Sequence, residues 1–70
     1  MEGFPLRIIE TPIPLKELDE IRERSGAKVS LTPLGRTRRN GITLNRVLIQ
    51  GNQEEIERFM EFLMRSRAGG

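Results

Sequence analysis

The chain of 70 residues contains no cysteine, no histidine, no tryptophan and no tyrosine. Each absence removes a class of chemistry. Without cysteine there is no disulfide framework, no thiol nucleophile and no cysteine–histidine zinc site. Without histidine there is no imidazole to act as the base of a hydrolytic triad. Three phenylalanines are the only aromatic residues, so a platform for stacking bases is poorly supplied. Long apolar runs are also missing. Glu2, Glu10, Pro5, Pro12 and Pro14 interrupt the first twenty residues, so no secretory signal is expected there. No segment approaches the ~20 apolar residues of a membrane span. A chain without cysteine suits a reducing compartment, and the expected location is the cytoplasm.

What is present is ordinary globular composition, 36% hydrophobic and 31% charged. Seventy residues allow one domain, expected over 1–70, near the lower limit for a chain that folds unaided. Twelve basic residues stand against ten acidic ones, for a net charge of +2. The distribution says more than the total. Residues 28–53 hold Lys28, Arg36, Arg38, Arg39 and Arg46 and no acid. Every acidic residue lies outside that segment, and eight of the ten fall on the two expected helices.

The apolar pattern divides the chain into five elements. Leu6 to Ile9 reads as a strand. Leu15, Leu18 and Ile21 recur at helical spacing, and Gly26 is placed to end that helix. Val29 to Leu31 alternates as a second strand, expected to stop at Pro33. Residues 34–45 form either a basic loop or an extended hairpin arm with Asn40-Gly41 at its tip. Arg46 to Gln50 is the third strand, with Val47 and Ile49 on one side. Asn52 and Glu55 have capping-box spacing, and Ile56, Phe59, Met60 and Leu63 then form an amphipathic stripe. A frayed tail is expected over 68–70.

The fold class is therefore α+β. A two-layer β-α-β-β-α arrangement is expected, with a three-stranded sheet and both helices packed on one face. The expected core takes Leu6, Ile8, Val29, Leu31, Val47 and Ile49 from the sheet. Its helix side takes Leu18, Ile21, Ile56, Phe59, Met60 and Leu63.

Two stretches resemble the KH domain, a module that binds single-stranded nucleic acid. Residues 18–29, LDEIRERSGAKV, are similar to that family's second helix running into its second strand. Residues 46–51, RVLIQG, followed by an acidic-apolar helix, are similar to its last strand and last helix. The segment between them corresponds to the variable loop. The resemblance implies a KH-like fold and an RNA partner. It also has a clear departure. The family's GxxG loop should fall at Pro12-Ile13-Pro14-Leu15, where both glycines are missing, and the chain before it is too short for the first helix. In the family that loop clamps the backbone. Without it the resemblance implies a degenerate KH domain that has lost groove binding. The element order and Ile49-Gln50-Gly51 are also similar to the translation initiation factor 1 family, which points to RNA and translation as well.

These readings lead to two functional expectations and no catalytic residues, metal ligands or cofactors. The first is a non-catalytic RNA-binding protein. Arg36, Arg38 and Arg39, with Lys28 and Arg46 beside them, would contact phosphates, because guanidinium forks match phosphate oxygens. The alternative is a protein-interaction or dimerisation module that keeps the fold and no longer binds RNA. It would use the open sheet face around Ile9 and Leu48, or Phe62 on the last helix. The helical carboxylates read as solvated faces, with Glu20–Arg24, Glu54–Arg58 and Glu61–Arg65 spaced i,i+4.

Overall fold

A computed structural model of the chain describes residues 5–68. Five elements follow in order: β1 (Leu6–Thr11), α1 (Leu15–Ser25), β2 (Val29–Arg39), β3 (Ile42–Gly51) and α2 (Gln53–Ala68). The strands form one antiparallel sheet in the order β1-β3-β2. Both helices cover the same face, where Leu18, Ile21, Ile56, Phe59 and Leu63 meet Val47 and Ile49 of the central strand. The α+β class and the order of elements are as the sequence implies. Ala68, expected in a tail, is the last residue of α2, and 69–70 lie outside the described residues.

The first strand faces the opposite way from the sequence expectation. Leu6 and Ile8 are 56% and 49% exposed, whereas Ile9 packs against the core. Side chains on a strand alternate, so an error of one residue exchanges the whole set between faces. What sets the phase lies just beyond the strand. Ile13, between two prolines, is only 2% exposed and occupies the core. Its N–H donates to the Thr11 hydroxyl at 3.2 Å, which draws Thr11 inward as well. Counting back from Thr11 in steps of two places Ile9 and Arg7 toward the helices and leaves Ile8 and Leu6 on the open face.

Pro33 does not stop β2, which runs on to Arg39. β2 is an edge strand, where a missing N–H costs little when it faces away from the neighbour. The pairing shifts there instead: Pro33 lies opposite Val47 and Gly35 opposite Arg46, so Leu34 is an extra residue. Such a bulge bends and twists the strand. At the far end Gly26 follows α1 in the left-handed conformation, with φ of 70°, and its N–H donates to the Glu23 carbonyl. Glu55 does not complete the expected reciprocal cap at Asn52. Its carboxylate accepts the Lys28 N–H at 2.9 Å and ties the start of α2 to the start of β2. The helical ion pairs form at i,i+3, Asp19–Arg22 at 2.8 Å and Glu55–Arg58 at 3.8 Å, rather than at the three i,i+4 positions.

Candidate nucleic-acid interface

The segment between Gly35 and Arg46 is the extended arm rather than an open loop. Arg36, Thr37, Arg38 and Arg39 pair with Asn45, Leu44, Thr43 and Ile42. Asn40 and Gly41 close the ribbon with φ of 52° and 79°. Two positive φ values are what a tight hairpin turn of matching twist requires, and asparagine followed by glycine meets that need with little strain. β1 pairs with β3 only as far as Thr11 opposite Asn45. Beyond that pair the arm is two-stranded. Its root is tied to the β1–α1 turn by the Asn45 amide, which donates to the Ile13 carbonyl at 2.9 Å.

The bulge decides which way each arginine points. Strict alternation from Val29, Leu31 and Pro33 would place residues 35, 37 and 39 on the helix side. The extra Leu34 reverses the phase. Arg36 and Arg38 therefore stand on the helix side with Asn45 and Thr43, and Arg39 stands on the open side with Ile42. Arg36 borders a shallow hollow formed with Pro12, Pro14, Leu15 and Thr43.

The two sides of the arm differ electrostatically. On the open side Glu10 of β1 reaches both neighbouring cations, Arg39 Nη2 at 3.2 Å and Arg46 Nε at 3.5 Å. The second contact is an ion pair and not a hydrogen bond, since the buried Arg46 Nε has no hydrogen-bond acceptor. Side-chain exposure is 67% for Arg39 and 26% for Glu10, so solvent screens the first pair substantially. On the helix side no carboxylate among the described residues lies within ion-pair distance of Arg36 or Arg38. Two rises of ~3.4 Å place these residues about 6.8 Å apart along the strand.

The five basic residues do not form one cluster. Lys28 precedes β2 at the end remote from the tip, and ten residues of extended chain place it roughly 30 Å from Arg38. Sequence proximity joined it to the arm, and the length of β2 separates them. Arg46 lies at the arm's root, half-buried and held by Glu10. The expected partner surface also needs correction. Ile9 is turned inward against the core, and Phe62 is half-buried there too. Only Leu48 lies on the open face as expected, half-buried between Ile8 and Thr32. The exposed apolar residues beside it are Leu6 and Ile8, with Met64 on the flank of α2 at 62% exposure. The available signal was β1 itself, whose apolar side chains point to both faces.

The turn at the KH loop position offers little to a phosphate. Pro12 and Pro14 have no N–H, and the Ile13 N–H is taken by Thr11. Among the described residues, no three carboxylates gather in a way that could hold a metal ion. No helix there is long and apolar enough to cross a membrane.

A family model described as "CHP_AF_0576: Uncharacterised protein" matches residues 6–70. The chain belongs to this family. The matched region takes in all five elements, the arm included. No curated protein matches the chain, and no solved structure does. The CHP_AF_0576 description names no activity, and nothing in these comparisons links the chain to a KH domain.

Proposed function

We propose that this chain is a small, non-catalytic, cytoplasmic RNA-binding protein whose β2–β3 arm contacts the nucleic-acid backbone. The observation that carries the reading is the placement of Arg36 and Arg38. They share one side of a projecting ribbon, about 6.8 Å apart, and no described carboxylate neutralises them. That separation is of the order found between consecutive phosphates of one strand. Each guanidinium can present two parallel N–H donors to a phosphate. The arm carries no aromatic residue, so contacts go to the backbone rather than to stacked bases. The KH resemblance supports an RNA partner, with the arm doing what the GxxG loop does in that family.

Binding of this kind is strongly salt-dependent and weakly sequence-specific. Fluorescence anisotropy with a labelled structured RNA tests it. Wild-type affinity should fall steeply with added salt. A double variant, Arg36→Ala with Arg38→Ala, should lose most of the binding. Unchanged affinity in that variant would remove the arm from the function. Absence of any binding at low salt would leave the protein as an interaction module.

A further inference from the structure

We infer that Asn40, at the tip of the arm, is a site of spontaneous modification, where the side-chain amide is lost and a carboxylate takes its place. The inference is independent of any nucleic-acid partner. The chemistry needs a side-chain amide, a following backbone nitrogen that can reach it, and a backbone free to bring the two together. Asn40 supplies the amide and Gly41 the nitrogen. Both residues are exposed. Arg39 and Ile42 are the last pair of the ladder, and the Gly41 N–H beyond them makes no hydrogen bond among the described residues.

The turn is one peptide flip away from the reactive geometry. With φ of 52° at Asn40 and 79° at Gly41 it is a type I′ turn. A type II′ turn keeps nearly the same φ at its first position. It differs by rotation of the peptide plane between the two residues, which takes ψ of the first to about −120° and φ of the second to about −80°. At that ψ the Cβ of an L-residue eclipses the next nitrogen. Asn40 Cγ and the Gly41 nitrogen then stand where a five-membered ring closes. Glycine takes up either sign of φ about equally readily, and open space surrounds Gly41 where a side chain would be. The first position of a type II′ turn favours glycine over asparagine, so the flipped form is the minor state and the reaction is slow.

Water is the sole co-reactant. The Gly41 nitrogen gives its proton to hydroxide and attacks Asn40 Cγ. A C–N bond forms, the bond from Cγ to Nδ2 breaks, and Nδ2 leaves as ammonia after taking a proton from water, which restores the hydroxide. Water then opens the cyclic imide. Opening at Cγ leaves an ordinary aspartate. Opening at the backbone carbonyl leaves an isoaspartate, whose chain runs through Cβ. Nearby cations favour both the deprotonated nitrogen and the oxyanion formed in the attack. Arg38 and Arg39 stand within two residues of Asn40. Arg38 has no ionic partner among the described residues, and Arg39 is shared with Glu10. Either product sets a carboxylate among Arg36, Arg38 and Arg39, in an arm that holds no acid. The isoaspartate also adds a backbone atom to a two-residue turn, which strains the pairing of Arg39 with Ile42.

The other asparagines of the chain are internal controls. Asn45 donates its amide to the Ile13 carbonyl at 2.9 Å and precedes Arg46, and Asn52 precedes Gln53 at the start of α2. Folded wild-type protein is incubated at neutral and at mildly alkaline pH, and its peptides are read by mass spectrometry. Asn40 should lose its amide, faster at the higher pH, while Asn45 and Asn52 keep theirs. Aspartate and isoaspartate forms should both appear, as separately eluting peptides of one mass. Asn40→Gly, which accepts the positive φ, should abolish the mass gain while the far-ultraviolet circular dichroism stays that of the wild type. Retention of the Asn40 amide in the folded protein, over a time in which a urea-unfolded sample loses it, overturns the inference. So does loss at Asn45 or Asn52 at the same rate as at Asn40.

Discussion

Asn45 and Ile13 are 32 residues apart in the chain, and the side-chain amide of the first donates to the backbone carbonyl of the second at 2.9 Å. The bond fixes the root of the arm against the turn that buries Ile13. Asn45→Ala leaves that carbonyl without its partner in a half-buried site. It should destabilise the fold by about 1–2 kcal/mol, seen as a lower urea midpoint with an unchanged slope.

Ile13 itself carries more weight. It is buried in the core, whereas Ile42 is 55% exposed on the arm. Ile13→Ala should cost ~2–5 kcal/mol. Ile42→Ala should stay within about 0.5 kcal/mol of the wild type. Equal effects in chemical denaturation would contradict the phase assigned to β1 and the turn after it.

Glu10 occupies the two cations on the open side of the arm. Glu10→Gln keeps the shape and removes the competing charge. If the arm binds phosphates, this variant should bind RNA more tightly, and the salt slope should steepen by about 0.7–0.9 for each arginine recruited. Arg39→Ala should weaken binding less than Arg38→Ala. Lys28→Ala, at the other end of β2, should leave affinity unchanged. Anisotropy titrations at several salt concentrations measure all three.

Gly51 ends β3 where β2 begins. A Cβ at this position would lie 3.0 Å from the Lys28 carbonyl oxygen and 3.1 Å from Val29 Cγ1. The first of these neighbours is backbone and cannot move aside alone. Gly51→Ala should therefore cost about 1–3 kcal/mol by overpacking. It should also speed amide exchange at Lys28, whose N–H is held by Glu55.

Much of this architecture is legible from residue patterns. The stripe of Ile56, Phe59 and Leu63 is long and periodic, and it does form the buried face of α2. Asn40-Gly41 marks its turn because few other pairs accept two positive φ values. β1 is not legible in the same way. Leu6, Ile8 and Ile9 satisfy either phase, and the residue that decides, Ile13, lies outside the strand between two prolines. The extent of β2 is hidden for a related reason. Pro33 is a strand breaker only where its N–H would have been used, which depends on the strand's place in the sheet. The arginines were identifiable as a basic run. Which of them share a side depends on one extra residue, Leu34; Pro33 and Gly35 on either side of it are residue types that mark a bulge, but they read equally as the end of the strand.

The arm contributes no buried side chain to the core between Arg36 and Leu44. Its length is thus decoupled from the folding of the body. Adding two residues to each strand would lengthen it by ~7 Å and return every side chain to its original face. Adding one would turn Arg36 and Arg38 over to the side that Glu10 occupies. The ribbon is a ruler graduated in steps of two, and within this family insertions there should come in even numbers.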